Sequence, residues 1–187
     1  KQEKIMTDPN VSGASGEILP ELLPLCAEAV DAVDGFLAAG RAALSERVVE
    51  GDTVDAGALD RHQFAAHAFA WMATYAEALR QMLGWARRLE AAGNLGELET
   101  LILQAAFGEY LGQLYGGIAI SQVEIARPRD LGLDGNAVHA FRTGAVATLA
   151  RGGNTDAVRM RIAALIADGV ESGNFGDPGL DDETLVL

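Results

Sequence analysis

From about Leu19 to Val49 the apolar residues Leu22, Leu25, Cys26, Ala29, Val33, Phe36, Leu37 and Leu44 recur at intervals of three and four. That spacing puts them on one face of a helix. Pro20 suits its first turn, whereas Pro24 would bend it or delay its start. A loop of Gly51, Asp52, Thr53, Asp55 and Gly57 follows, after which Asp60 can cap or charge a second helix running to about Ala92. Its face carries Phe64, Ala68, Trp71, Met72, Tyr75, Leu79, Met82, Leu83, Ala86 and Leu89, and Gly93 with Asn94 supplies a left-handed stop.

A third face holds Leu98, Leu101, Ile102, Ala105, Leu111, Leu114, Ile118 and Ile125. It predicts a helix from about Leu95 to Ile125, ended by Pro128, which lacks the amide donor and disfavours helix in the residue before it. Beyond the Asp130–Gly135 turn, two shorter helices are predicted, Ala137–Ala150 and Thr155–Val170, parted by Gly152 and Gly153, with Asn154 as a cap. Period-two alternation of β-branched residues is missing over any useful length. The pattern therefore predicts an all-α fold, an antiparallel helical bundle of three long and two shorter helices. The domain plan is a turn-rich, flexible N-terminal segment over 1–16 and the bundle over 17–172. Residues 173–187 then form a linker and the start of a missing downstream catalytic region. Gly173, Asn174, Gly176, Asp177, Pro178 and Gly179 make that linker, and Asp181, Asp182 and Glu183 ahead of Leu185, Val186 and Leu187 read as a helix beginning.

The length of 187 residues suits one domain, and 49% apolar with 22% charged residues suits a soluble one with its own core. No apolar run reaches the ~20 residues of a membrane span. The net charge of −13 argues against nucleic acid and anionic membrane as partners, since both would be repelled. A single cysteine, Cys26, and the lack of a signal-peptide pattern point to the cytoplasm. Both lysines, Lys1 and Lys4, precede Met6, so the first five residues read as a tag remnant or upstream read-through.

Candidate chemistry is sparse. His62 and His67 stand five apart, a poor spacing for two ligands on one helix, and His139 is remote, so no metal site is expected. Cys26 falls on an apolar face without a histidine partner and reads as an inert thiol. Trp71, Tyr75 and Trp85 form an aromatic ridge, either bundle core or the wall of a ligand pocket. Glu109, beside Tyr110, is a lone carboxylate with no readable partner. Gly116 and Gly117 fall inside the predicted third helix, where each costs about 1 kcal/mol relative to alanine. Close approach of another backbone, or a kink, would account for them. Gly116, Gly117, Trp71 and Tyr75 are accordingly the packing or interface candidates. No phosphate-binding glycine loop and no Gly-x-Ser-x-Gly occurs, so no catalytic residue is assigned.

The run from Glu109 and Tyr110 through Tyr115, Gly116 and Gly117 to Arg127, Pro128, Arg129 and Gly132 resembles a helical region of the acyl-CoA dehydrogenases. In one member of that family an extra helical domain precedes the flavin-binding catalytic body. The resemblance implies a helical accessory or assembly domain of a flavoenzyme that oxidises a branched acyl-CoA by α,β-dehydrogenation. FAD would belong to the full-length enzyme and not to this segment, because the family's catalytic glutamate, its FAD-contacting segments and its β-barrel domain have no counterpart here. The implied partners are the catalytic body of the same polypeptide and a second copy in a homodimer. Two alternatives stay open: a free-standing helical scaffold, and a small-ligand bundle with its pocket around Trp71 and Gly116.

Overall fold

The computed structural model describes residues 18–170. The expected flexible start, the glycine-rich linker and the helix beginning at Leu180–Leu187 lie outside the described residues. Within them the chain is mostly helical: α1 (Leu22–Val48), α2 (Ala56–Arg61), α3 (Gln63–Ala91), α4 (Glu97–Gly116), α5 (Pro128–Leu131), α6 (Gly135–Phe141), α7 (Gly144–Gly152) and α8 (Asp156–Ala167). Two short antiparallel hairpins interrupt it, β1 (Val49–Glu50) with β2 (Thr53–Val54), and β3 (Ile118–Ala119) with β4 (Ile125–Ala126).

Helix α3 packs along α1 on one side and α4 on the other, while α4 also lies against α7 and α8. The core gathers Cys26, Ala29 and Val33 of α1, Met72 and Leu79 of α3, Phe107, Leu111 and Leu114 of α4, and Val146 and Leu149 of α7. Each fully buried leucine or phenylalanine contributes roughly 1.5–3 kcal/mol of transfer free energy. A smaller cluster of Leu98, Leu101, Val158 and Leu165 ties α8 to the start of α4.

Several expected elements differ. Pro24 neither bends nor delays α1, because it occupies the third helical position, where an amide donor has no intrahelical partner to lose. The second long helix is preceded by a separate short one: Asp55, not Asp60, caps α2 by accepting the Ala58 amide, and His62 with φ −113° and ψ 20° breaks the path before α3. The segment 137–150 divides at Arg142 and Thr143 into α6 and α7, with Gly144 at φ +55°. Thr155, not Asn154, caps α8.

The largest difference is at the third helix, which stops at Gly116 instead of Ile125. Gly117 adopts φ 126° and ψ 135°, a conformation that side chains with a Cβ rarely enter. The chain then turns back through β3 and β4, pairing Ile118 with Ala126 and Ala119 with Ile125. Ile118 and Ala126 are fully buried, so apolar residues that looked like a continuing helix face are the inward positions of a hairpin. Pro128 opens α5 at its first position, the favoured place for proline. Gly116, by contrast, has open space where a Cβ would stand, while one on Gly117 would meet Ile125 Cγ2 at 2.7 Å. Gly117→Leu is therefore expected to destabilise the fold by about 2–5 kcal/mol from strain and overpacking together, and Gly116→Ala to be neutral or slightly stabilising. Urea denaturation of the two variants checks the contrast; equal effects would contradict it.

A close backbone approach lies a little over two turns earlier. A Cβ on Gly108 would stand 2.6 Å from the Asn154 nitrogen and 2.9 Å from the Gly153 Cα, and one on Gly153 only 2.8 Å from the Gly108 Cα. Helix α4 thus crosses the α7–α8 corner through two facing glycines. That crossing delivers Asn154 to the face described next.

Candidate functional site

Spacing by four on α3 places His67, Trp71 and Tyr75 along one stripe. On α4, Glu109, Tyr110 and Gln113 occupy the facing stripe. The two join by ring stacking and hydrogen bonds. Tyr75 and Tyr110 stack with centroids 4.6 Å apart, and Trp71 meets Tyr75 edge-on at 6.4 Å. The Tyr75 hydroxyl donates to Gln113 Oε1 at 2.9 Å, Gln113 Nε2 donates to Glu109 Oε1 at 2.7 Å, and Asn154 Nδ2 donates to Glu109 Oε2 at 2.9 Å. At the other end, Trp71 Nε1 donates to His67 Nε2 at 2.9 Å, leaving His67 Nδ1 facing the Glu124 carboxylate at 3.9 Å.

The hairpin that begins at Gly117 therefore carries Glu124 to the Trp71 end of the strip, and Gly117 itself bonds back to the Gln113 carbonyl. Trp71 and Tyr75 lie on this strip, whereas Gly116 and Gly117 form the corner at the end of α4. Trp71, Tyr75 and Tyr110 are each half-buried. Next to them an open apolar groove of about 410 Å³ runs between α3 and α4, lined by Ala78, Met82, Trp85, Ala106 and Tyr110 with Gln81 and Arg88 at its edges.

Electrostatically the strip is quiet. Hydrogen bonds from Gln113 and then Asn154, helped by the positive field of Arg159, hold the Glu109 carboxyl below the usual carboxylate range. A carboxylate so satisfied is a poor proton acceptor at neutral pH. Burial, then the neighbouring Tyr110 and Glu109, pushes the Tyr75 hydroxyl up, so it stays a donor. Cys26 lies far inside the core, its thiol pushed up to about 12 by burial, where it cannot serve as a nucleophile. His62 marks the α2–α3 break and His139 sits on α6, so neither joins His67. Among the described residues no group of three or more His, Cys, Asp or Glu side chains could hold a metal ion.

The i, i+4 spacing of Glu109 and Gln113 is readable in the sequence, but their meeting with Tyr75 is not, since it depends on how α3 and α4 are set against each other. Asn154 comes from still further along the chain, and Glu124 from an element the periodicity did not predict.

No family model matches the chain. Over 167 residues, 89% of its length, it is 47% identical to (2S)-methylsuccinyl-CoA dehydrogenase of Cereibacter sphaeroides. The chain is related to the acyl-CoA dehydrogenases. It spans 30% of that relative's length, so more than two thirds of the dehydrogenase lies outside the match. The resemblance at the Glu109–Gly132 run thus extends over nearly all of this chain, and the acyl-CoA dehydrogenase relationship takes in the α3–α4 face. No helix among the described residues is long and apolar enough to cross a membrane.

Proposed function

We propose that this chain is a helical accessory or assembly domain of an FAD-dependent acyl-CoA dehydrogenase acting on a branched acyl-CoA in the cytoplasm, and that it is not catalytic by itself. The domain occupies 17–172, with the catalytic body attached through 173–187. It packs on that body, in the same polypeptide or across a homodimer, through the α3–α4 face. The observation that carries this reading is the half-buried aromatic strip Trp71–Tyr75–Tyr110 running into the groove at Met82 and Trp85. Aromatic residues and methionine are the side chains enriched where two protein surfaces meet, the aromatics because they bring large area at small entropic cost.

FAD does not fit this strip. The Tyr75 and Tyr110 rings already lie against each other at 4.6 Å, leaving no slot for a third ring between them. The groove beside them is open and mostly apolar. The flavin is accordingly assigned to the rest of the polypeptide, where it would accept the electrons of the dehydrogenation.

Purified alone, the chain is expected to be strongly helical by circular dichroism, colourless, and inactive with (2S)-methylsuccinyl-CoA and an artificial electron acceptor. Light scattering should show a dimer, because a face meant for a partner associates with itself when the partner is removed. Flavin that co-purifies with the chain, or turnover by it, would contradict the reading.

A further inference from the structure

The chain is acidic overall, with a net charge of −13, yet three arginines and a histidine gather in one hollow. Arg127, Arg129, Arg142 and His139 line a cavity of about 390 Å³ where the β3–β4 hairpin leads into α5 and α6, and Tyr115 and Val138 give it an apolar wall. Two carboxylates belong to the same corner, Asp134 in the lining and Asp130 beside it. Asp134 accepts the Ala137 amide at 2.8 Å as the cap of α6, and Asp130 accepts the Arg127 amide at 2.8 Å, with its other oxygen 3.9 Å from Arg129 Nε.

Arg127 donates to the Ile125 carbonyl at 3.4 Å, and the Arg142 guanidinium lies over the Tyr115 ring, 4.4 Å from its centroid. Among the described residues no carboxylate lies within ion-pair distance of either. Arg129 of the hollow has Asp130 at 3.9 Å, and outside it Arg61, Arg80, Arg159 and Arg161 each have an Asp or Glu. Positive charge left unpaired in a concavity focuses its field on whatever anion enters. Guanidinium groups match phosphate oxygens with paired N–H donors, and several converging groups suit the many oxygens of a phosphate better than the two of a carboxylate. The volume falls within the range of small-ligand sites.

We propose that this hollow binds the phosphate groups of a small molecule, with Arg127, Arg129 and Arg142 meeting the phosphate oxygens and the Arg142–Tyr115 stack offering a flat face to a ring. The hollow shares no lining residue with the groove between α3 and α4. Isothermal titration of the full chain at low salt with inorganic pyrophosphate, ADP and citrate tests it. Pyrophosphate and ADP are expected to bind one per chain and to weaken as salt rises. ADP binding more tightly than pyrophosphate would assign the stack to a ring, and equal binding would assign the hollow to phosphate alone; both support the site. Arg129→Ala and Arg142→Glu, both at exposed positions and each checked for its melting temperature, should each weaken binding by about tenfold or more. Arg151→Ala, on the exposed surface of α7, should leave it within about twofold. Absence of binding by both phosphates, citrate binding as tightly as pyrophosphate, or hollow variants no weaker than Arg151→Ala would each overturn the proposal.

Discussion

Gly108→Leu is expected to destabilise the domain by at least about 3 kcal/mol, a large part of the 5–15 kcal/mol that an ordinary domain possesses. The reason is the neighbour that the new side chain would meet. A Cβ at Gly108 would come within 3 Å of the backbone of Gly153 and Asn154, not of a flexible side chain that could swing aside. The helices would have to separate, and the α7–α8 corner would move away from α4. Phe107, Leu111 and Leu149, all fully buried near this crossing, would then lose contacts as well. Gly112→Ala, one turn further along α4 with open space around it, is the control, and should gain up to about 1 kcal/mol from helix propensity. Urea denaturation followed by tryptophan fluorescence reads both, and a midpoint for Gly108→Leu equal to wild type would contradict the crossing. Because Asn154 donates to Glu109, the variant should also loosen one end of the aromatic strip.

Apolar periodicity was enough to find the interior of α1 and α3. Cys26, Val33, Met72 and Leu79 follow the helical spacing and are all buried. It failed at Gly117 because Ile118 and Ile125 keep that spacing while the backbone turns back on itself. A pattern of apolar residues does not register a change of φ, and strands of two residues are too short to show alternation. The meeting of Gly108 with Gly153 was invisible for another reason, since Gly153 reads only as a break between two helices and the contact joins residues far apart in sequence. At the candidate face, Trp71 and Tyr75 stand out by their spacing on a single helix. The stacking of Tyr110 on Tyr75 depends on a contact between helices. The arginine hollow shows the same limit: Arg127 and Arg129 flank Pro128 in the sequence, but Arg142 comes from the end of α6.

The second large effect concerns association. Trp71→Asp combined with Met82→Asp puts two carboxylates on the half-buried α3–α4 face, where any docked surface would have to desolvate them without partners. Loss of an aromatic anchor at the centre of an interface commonly costs 2 kcal/mol or more, so the pair is expected to weaken docking by roughly 30-fold to a thousandfold. Val54→Asp, at an exposed position on the β1–β2 hairpin, should change docking by less than about twofold. Circular dichroism of each variant separates lost docking from lost folding.

The most direct measurement uses the Cereibacter sphaeroides dehydrogenase with its matched stretch removed, mixed in trans with this chain, and size-exclusion chromatography with light scattering as the readout. The dehydrogenase's own excised stretch provides the reference. The account predicts that this chain co-elutes with the remaining body in equal amounts, that Val54→Asp does so equally well, and that the Trp71→Asp, Met82→Asp variant elutes apart from it. A body that ignores the wild-type chain, or that retains the double variant as firmly as the wild type, would contradict it.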